Sequence, residues 1–189
     1  MIVATRAEDR GDRPPLATDT FQVTESGATA METTRHFTAT TYVVNDGATA
    51  LHEHERLGIR LPPGGHIERD ELPHEAAIRE VREETGLEPT LVADTADVDA
   101  PNGRPLPEPA HLMLHDINVH PDGRVGHQHI DHLYYASVPD RRIDPIGADE
   151  AAADEWRWYT PLELRASDLD ADVVSLGCEA IATVSERER

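Results

Sequence analysis

The stretch GHIERDELPHEAAIREVREETGL, residues 65–87, decides the fold of this chain. Its second half is typical of a helix over residues 73–85, because proline suits the first turn and Gly86 suits a left-handed residue after the last one. On a helix that turns by about 100° per residue, Glu80, Glu83 and Glu84 share an arc of about 100°. The neighbouring arc is apolar, so the helix is predicted to pack on a sheet and to present three carboxylates at one side.

Three carboxylates on one helix face repel one another unless cations lie among them. Hard oxygen ligands of this kind suit Mg²⁺ or Mn²⁺, which keep several waters and bridge to substrate phosphates. A solvated acidic face is the alternative, but it does not require Arg79, Gly65 and Gly86 at fixed spacing from the carboxylates. The pattern therefore favours a divalent-metal site on this helix.

The full pattern is glycine, five residues, glutamate, seven residues, then Arg-Glu-apolar-x-Glu-Glu-x-Gly-apolar. It resembles the Nudix box at every specified position, and the likeness extends over roughly residues 35–185. The resemblance implies an α/β fold, a Nudix-type α/β/α sandwich with a mixed β-sheet. Strands before and after a central helix, with a closing helix, agree with such layers.

The resemblance also implies roles for single residues. Arg79 would orient the carboxylates by ion pairing, and Glu71 would brace the loop against the helix. Gly65 would let the backbone approach the metal closely, and Gly86 would end the helix. The implied metal ligands are the backbone carbonyl of Gly64 and the side chains of Glu80, Glu83 and Glu84, one of which could also serve as the base towards water.

The implied activity is hydrolysis of a phosphoanhydride bond in a nucleoside diphosphate linked to another moiety, with Mg²⁺ or Mn²⁺ as cofactor and water attacking phosphorus. A nucleotide-binding Nudix domain without turnover is one alternative, but such domains usually lose box carboxylates. An isopentenyl diphosphate isomerase shares the fold, but its chemistry needs a pocket cysteine and Cys178 lies in the expected last helix. One departure is Leu72, where many members carry a small hydroxyl residue that caps the helix.

Several residues outside the box are further candidates for substrate contact or an extra base. His127, His129 and Asp131 would lie on one face of a strand, as a second metal site, a phosphate contact or a base. A polar strand face, or an aspartate that bonds a structural histidine, is the simpler alternative. Glu150 and Glu155 are candidates because the family often supplies a ligand or base from a later loop. The stretch His52-Glu53-His54 is interpreted as surface hairpin.

Composition limits the partners. The 189 residues include 17 arginines, no lysine and 37 acidic residues, for a net charge of −20. Such a surface repels nucleic-acid backbones and anionic membranes. Screening by salt would keep it soluble, and the composition resembles that of salt-loving microbes. One cysteine excludes an internal disulfide, and no apolar run approaches the roughly 18 residues of a membrane span. A cytoplasmic protein is expected.

The chain is expected to divide near residue 33. Residues 1–33 have little apolar periodicity and predict a flexible extension, whereas residues 34–189 would form the Nudix domain. Since family members often pair, the resemblance implies a homodimer. Residues 62–65 are interpreted as a break, and a last helix is expected over residues 171–184. Strands are predicted over residues 37–45, 48–52, 57–61, 90–94, 111–120, 130–138 and 155–159.

Overall fold

The computed structural model describes residues 32–54, 58–147 and 150–189. The extension expected over residues 1–33 thus lies almost entirely outside the described residues, and its boundary stays a prediction. The elements in chain order are β1 (Thr34–Asn45), β2 (Ala48–His54), β3 (Ile59–Leu61), β4 (Gly64–His66), α1 (Pro73–Thr85), β5 (Thr90–Leu91), β6 (His111–Val119), β7 (Val125–Ser137), β8 (Trp156–Tyr159), α2 (Pro161–Ala166) and α3 (Ala171–Arg187).

The eight strands form one mixed sheet. Its central path runs β3-β2-β1-β7-β5, with β4 paired to β1, β6 to β7 and β8 to β2. The two longest strands, β1 and β7, are parallel, whereas β1 is antiparallel to both β2 and β4. The hairpin predicted between β1 and β2 is confirmed, with Asp46 and Gly47 at positive φ in its turn.

Side chains that alternate along each strand build one core on each face of the sheet. On one face Tyr42 and Val44 pack with Ile181 of α3. On the other face Val43 packs with Val81 of α1. The α/β/α sandwich with a mixed sheet is therefore confirmed. None of the helices within the described ranges is long and apolar enough to cross a membrane.

Helix α1 has the bounds that the sequence predicts. Leu72 offers no hydroxyl at its start, but the Glu75 carboxylate accepts the Leu72 N–H at 3.1 Å and so replaces part of the missing cap. At the other end Gly86 has φ 69°, and its N–H donates to the carbonyl of Arg82 at 2.9 Å. The residues around the box thus fix both ends of the helix.

The interpretation of residues 62–65 as a break is wrong at its second half, because Gly64–His66 is strand β4. Pro62 and Pro63 lie just before this strand, and the carbonyl of Pro63 accepts the Thr41 N–H at 2.9 Å. A Cβ added to Gly64 would come within 2.6 Å of the Ala39 carbonyl oxygen, so glycine permits this close pairing. Strand β7 also begins earlier than predicted, at Val125, since its pairing with β1 continues to His127.

Candidate metal and catalytic site

The carboxylates of α1 lie directly over β4. The Glu84 carboxylate accepts the Gly64 N–H at 2.7 Å. A Cβ added to Gly65 would come within 2.4 Å of Glu80 Oε1, so only glycine leaves room for that carboxylate. Because N–H and C=O of one strand residue point to the same edge, the Gly64 carbonyl is directed to the side that faces Glu84. Gly64 and Gly65 thus allow side-chain and backbone oxygens to come together at one place.

Arg79 holds the carboxylates in position. Its Nε and a terminal nitrogen donate to the two Glu71 oxygens at 2.9 and 3.0 Å, a bidentate pair that braces the loop before α1. Its other terminal nitrogen donates to Glu80 at 2.8 Å and to Glu83 at 2.9 Å. These bonds, Glu71 first, raise the pKa of Arg79, and the bond from Arg79 lowers the pKa of Glu71.

Burial and mutual repulsion disfavour the charged form of two of these carboxylates. Burial raises the pKa of Glu84 to about 8, despite the Gly64 N–H, and the negative charges of Glu80, Glu150 and Glu83 add to the effect. Burial also raises the pKa of Glu80, which Arg79 partly offsets. Since Arg79 is the one guanidinium that contacts these carboxylates among residues 32–54, 58–147 and 150–189, the site favours added cations.

The two glutamates predicted from the later loop differ in their placement. The negative charge of Glu150 adds to the raised pKa of both Glu80 and Glu84. Glu155 accepts the Ala152 N–H at 2.7 Å, within its own turn, and its charge raises the pKa of His52. Glu150 thus acts on the α1 carboxylates, whereas Glu155 is bonded locally. We name Glu80, Glu83, Glu84 and Glu150 the carboxylate site.

The interpretation of His52 as surface hairpin is wrong. Its Nε2 lies 3.7 Å from Glu84 Oε2, and its ring lies 4.7 Å from the Trp156 ring. Burial lowers its pKa, so the ring is favoured as neutral. Alternation in β2 could have revealed this, since Ala50 lies in the core beneath α1 and His52 follows it by two residues.

The predicted strand face with His127, His129 and Asp131 exists, but its members differ. Asp131 is 3% exposed, and its Oδ1 accepts the hydroxyls of Thr38 and Thr40 at 2.8 and 2.9 Å. His127 and His129 instead lie close to His36 of β1 and His66 of β4. Sequence reasoning missed these two histidines because their strands are remote in sequence from β7. We name the group the four-histidine cluster: His36, His66, His127 and His129.

The donor set of the carboxylate site fits a hard divalent cation. Its side chains offer oxygen atoms alone, as Mg²⁺ and Mn²⁺ prefer. Gly65 leaves a space that any Cβ would fill, and that space lies against Glu80. These features are typical of a hydrolase that handles phosphoanhydrides with a bound metal ion.

Comparison with known proteins agrees with this class. The model of the NUDIX domain family matches residues 34–176. A hydrolase of the NUDIX family from Clostridium perfringens is 32% identical, covering 80% of this chain and 99% of that chain at a TM-score of 0.69. The chain belongs to the Nudix family. It is accordingly an enzyme of the Nudix pyrophosphohydrolase class, whose members generally use a divalent metal and act on small-molecule nucleotide derivatives.

Two further solved structures are more distant. A NUDIX hydrolase from Nitrosomonas europaea is 18% identical over 82% of this chain and 92% of that chain, with a TM-score of 0.49. A UDP-X diphosphatase is 16% identical over 82% of this chain and 65% of that chain, with a TM-score of 0.47. Both are too remote to indicate a substrate. No curated protein matches the sequence.

Proposed function

We propose that this chain is a Mg²⁺-dependent hydrolase that cleaves the phosphoanhydride bond of a nucleoside diphosphate linked to another moiety. Mn²⁺ would serve in place of Mg²⁺. The observation that carries the proposal is the placement of Glu84 against Gly64 and of Glu80 against Gly65, with Glu80 and Glu83 both bonded to Arg79.

The metal would be held by oxygen atoms of α1 and β4. The proposed ligands are the Gly64 carbonyl and the carboxylates of Glu80, Glu83 and Glu84. When bound, the ion would polarise the phosphoanhydride and lower the pKa of the attacking water. Glu150 is proposed as a further ligand or base from the later loop, whereas the buried contacts of Asp131 support a structural role.

The protein residues would supply positioning and proton transfer. Arg79 holds the carboxylates of Glu80 and Glu83 in position by hydrogen bonds, and its bidentate pair with Glu71 anchors the loop before α1. One of the three α1 carboxylates would take the proton of the water that attacks phosphorus, and the bridging oxygen would leave with the second phosphate. All three carboxylates are present, which favours turnover over a binding module. Cys178 lies on α3, across the sheet from α1, which disfavours the isomerase alternative.

The experiment is a substrate panel. Purified protein is incubated with nucleoside triphosphates, sugar nucleotides and dinucleoside polyphosphates, with Mg²⁺ or with chelator, and released phosphate and nucleotide are measured. We expect hydrolysis of at least one class, lost with chelator and lost in Glu84→Gln. The matched control is Glu88→Gln, since Glu88 is exposed and paired with Arg82 just beyond α1. Equal activity in Glu84→Gln would sink the assignment of the site.

We further propose that the protein works in the cytoplasm of a salt-loving microbe. A net charge of −20 without lysine supports this, because dense negative charge destabilises a compact chain unless salt screens it. The melting temperature should rise steadily with KCl concentration, and a flat response would contradict the proposal. The homodimer that the family implies is tested on the same samples by sedimentation.

A further inference from the structure

Four histidines from three strands meet on the face of the sheet opposite α1. Parallel pairing places His36 of β1 beside His129 of β7, and His127 lies two residues before His129. Antiparallel pairing places His66 of β4 beside Thr38, two residues from His36. One ring nitrogen of each histidine lies within 4.8 Å of one from every other.

The rings converge through their nitrogens. His36 Nδ1 lies 3.2 Å from His66 Nε2. The ring centroids of His36 and His127 are 4.7 Å apart, and those of His127 and His129 are 5.0 Å apart. Bonds of about 2.0–2.1 Å to a tetrahedral metal ion would place ligand nitrogens about 3.3 Å apart. Small side-chain rotations would therefore close the cluster around one ion.

Neighbouring groups hold the cluster in shape. The Thr34 hydroxyl lies 2.8 Å from His127 Nδ1, so one nitrogen of this ring is engaged and the other is left for a ligand. Such an outer hydrogen bond is what orients histidine ligands of metals. Beneath His129, Asp131 is fixed by Thr38 and Thr40 in a buried layer. These hydrogen bonds and the strand pairing therefore hold the histidine rings in position.

We propose that His36, His66, His127 and His129 bind one transition-metal ion of the Zn²⁺ type, separately from the carboxylate site. Imidazole suits Zn²⁺, Ni²⁺ and Cu²⁺, whereas Mg²⁺ prefers oxygen. Four protein ligands close the coordination shell, which is the arrangement of structural sites. The ion would tie β4 to β1 and β7. The backbone carbonyl of His66 accepts a hydrogen bond from Arg79 at 3.0 Å, so β4 contacts both the cluster and a side chain of α1.

The experiment measures Zn²⁺ binding to the full chain by calorimetry with Mg²⁺ in excess. We expect one Zn²⁺ per chain, and Co²⁺ in its place should show the intense visible absorption of tetrahedral ligation. His36→Gln and His127→Gln should each weaken Zn²⁺ affinity by at least about 100-fold, because each removes a direct ligand. Thr34→Val should weaken it by about 10-fold through the lost outer bond.

The matched control is His132→Gln. His132 belongs to the same strand but points to the opposite face, with Nδ1 3.2 Å from the Thr38 carbonyl. Circular dichroism shows whether each variant is folded, and His36 is exposed, so its replacement leaves the core unchanged. No Zn²⁺ binding with Mg²⁺ in excess would overturn the proposal. So would equal weakening in His132→Gln, or Zn²⁺ binding that survives His36→Gln and disappears in Glu84→Gln.

Discussion

The carboxylate site and the four-histidine cluster lie on opposite faces of one sheet and differ in every chemical respect. The carboxylate site gathers acidic oxygens under a helix, where burial raises the pKa of Glu84 to about 8. The four-histidine cluster gathers ring nitrogens on bare strands, and two of its rings are exposed. The donor atoms of the first suit a hard cation, and those of the second suit the borderline ion that we propose.

Strand β4 connects the two regions. Gly65 faces α1, where its missing side chain makes room for Glu80, and His66 faces the other way. Alternation along three residues therefore serves both regions. The comparison shows that a closely approaching strand can supply space on one face and a side chain on the other. The predictions below test how far the two regions are independent.

The largest effect is expected from Gly65→Ala. The added Cβ would overlap the Glu80 carboxylate, at 2.4 Å from Oε1, so β4 or that side chain must move. We expect hydrolysis to fall by at least about 100-fold, because small misplacement at a reacting centre is costly. Gly103→Ala is the control, since its Cβ would meet nothing closer than 3.7 Å. Steady-state kinetics of both variants measure the rate of hydrolysis. Full activity in Gly65→Ala would contradict this packing.

Glu83→Gln tests whether hydrolysis and Zn²⁺ binding depend on different regions. The change removes a proposed metal ligand, so we expect about 100-fold slower hydrolysis. Zn²⁺ affinity should stay within about threefold, because Glu83→Gln removes none of the four histidines and leaves the bond from Arg79 to the His66 carbonyl in place. Kinetics and calorimetry on one preparation measure both quantities. A parallel loss of Zn²⁺ affinity would show that the regions are not independent.

Arg79→Lys should have a smaller effect on catalysis. Lysine keeps the charge but cannot donate to Glu71 with two nitrogens while also reaching Glu80 and Glu83. We expect kcat to fall by about 10-fold to 100-fold, as for loss of an orienting partner of metal ligands. The control is Arg82→Lys, whose partner Glu88 is exposed. Equal kcat in the two variants would contradict the orienting role.

The smallest effect is expected from Glu71→Gln, measured as stability against pH. Its folded pKa is lowered by Arg79, so its contribution is present above the unfolded value and is lost as pH falls. We expect a melting temperature about 2–4 °C below wild type at neutral pH. The difference should shrink below about pH 4.3, where the unfolded carboxylate is protonated. A constant difference across pH would count against the ion pair.

The sequence predicts the regular part of the fold well. Helix α1 has its predicted bounds because proline, the apolar arc and Gly86 are all local signals. Strand β4 was missed, since two prolines followed by two glycines resemble a break, and only pairing with β1 makes Gly64–His66 a strand. The start of β7 was missed for the same reason, because its first residues are fixed by pairing with β6 and β1.

The candidate sites, too, could be predicted only where the residues that form them are close in sequence. Spacing along one helix brings Glu80, Glu83 and Glu84 together, so local periodicity suffices to group them. His52 and His36 come from other strands, and their neighbours depend on register rather than on sequence distance. Glu150 and Glu155 look alike in sequence, but only the fold shows that the charge of Glu150 acts on Glu84 whereas Glu155 caps its own turn.

The most direct measurement is Mn²⁺ binding to wild type, Glu84→Gln and Glu88→Gln by calorimetry, without substrate. If the α1 carboxylates hold the metal, Glu84→Gln should lower the affinity by at least about 10-fold, because one oxygen ligand loses its charge. Glu88→Gln should bind as wild type does, since Glu88 lies outside the site. Equal Mn²⁺ affinity in wild type and Glu84→Gln would contradict the metal site on α1.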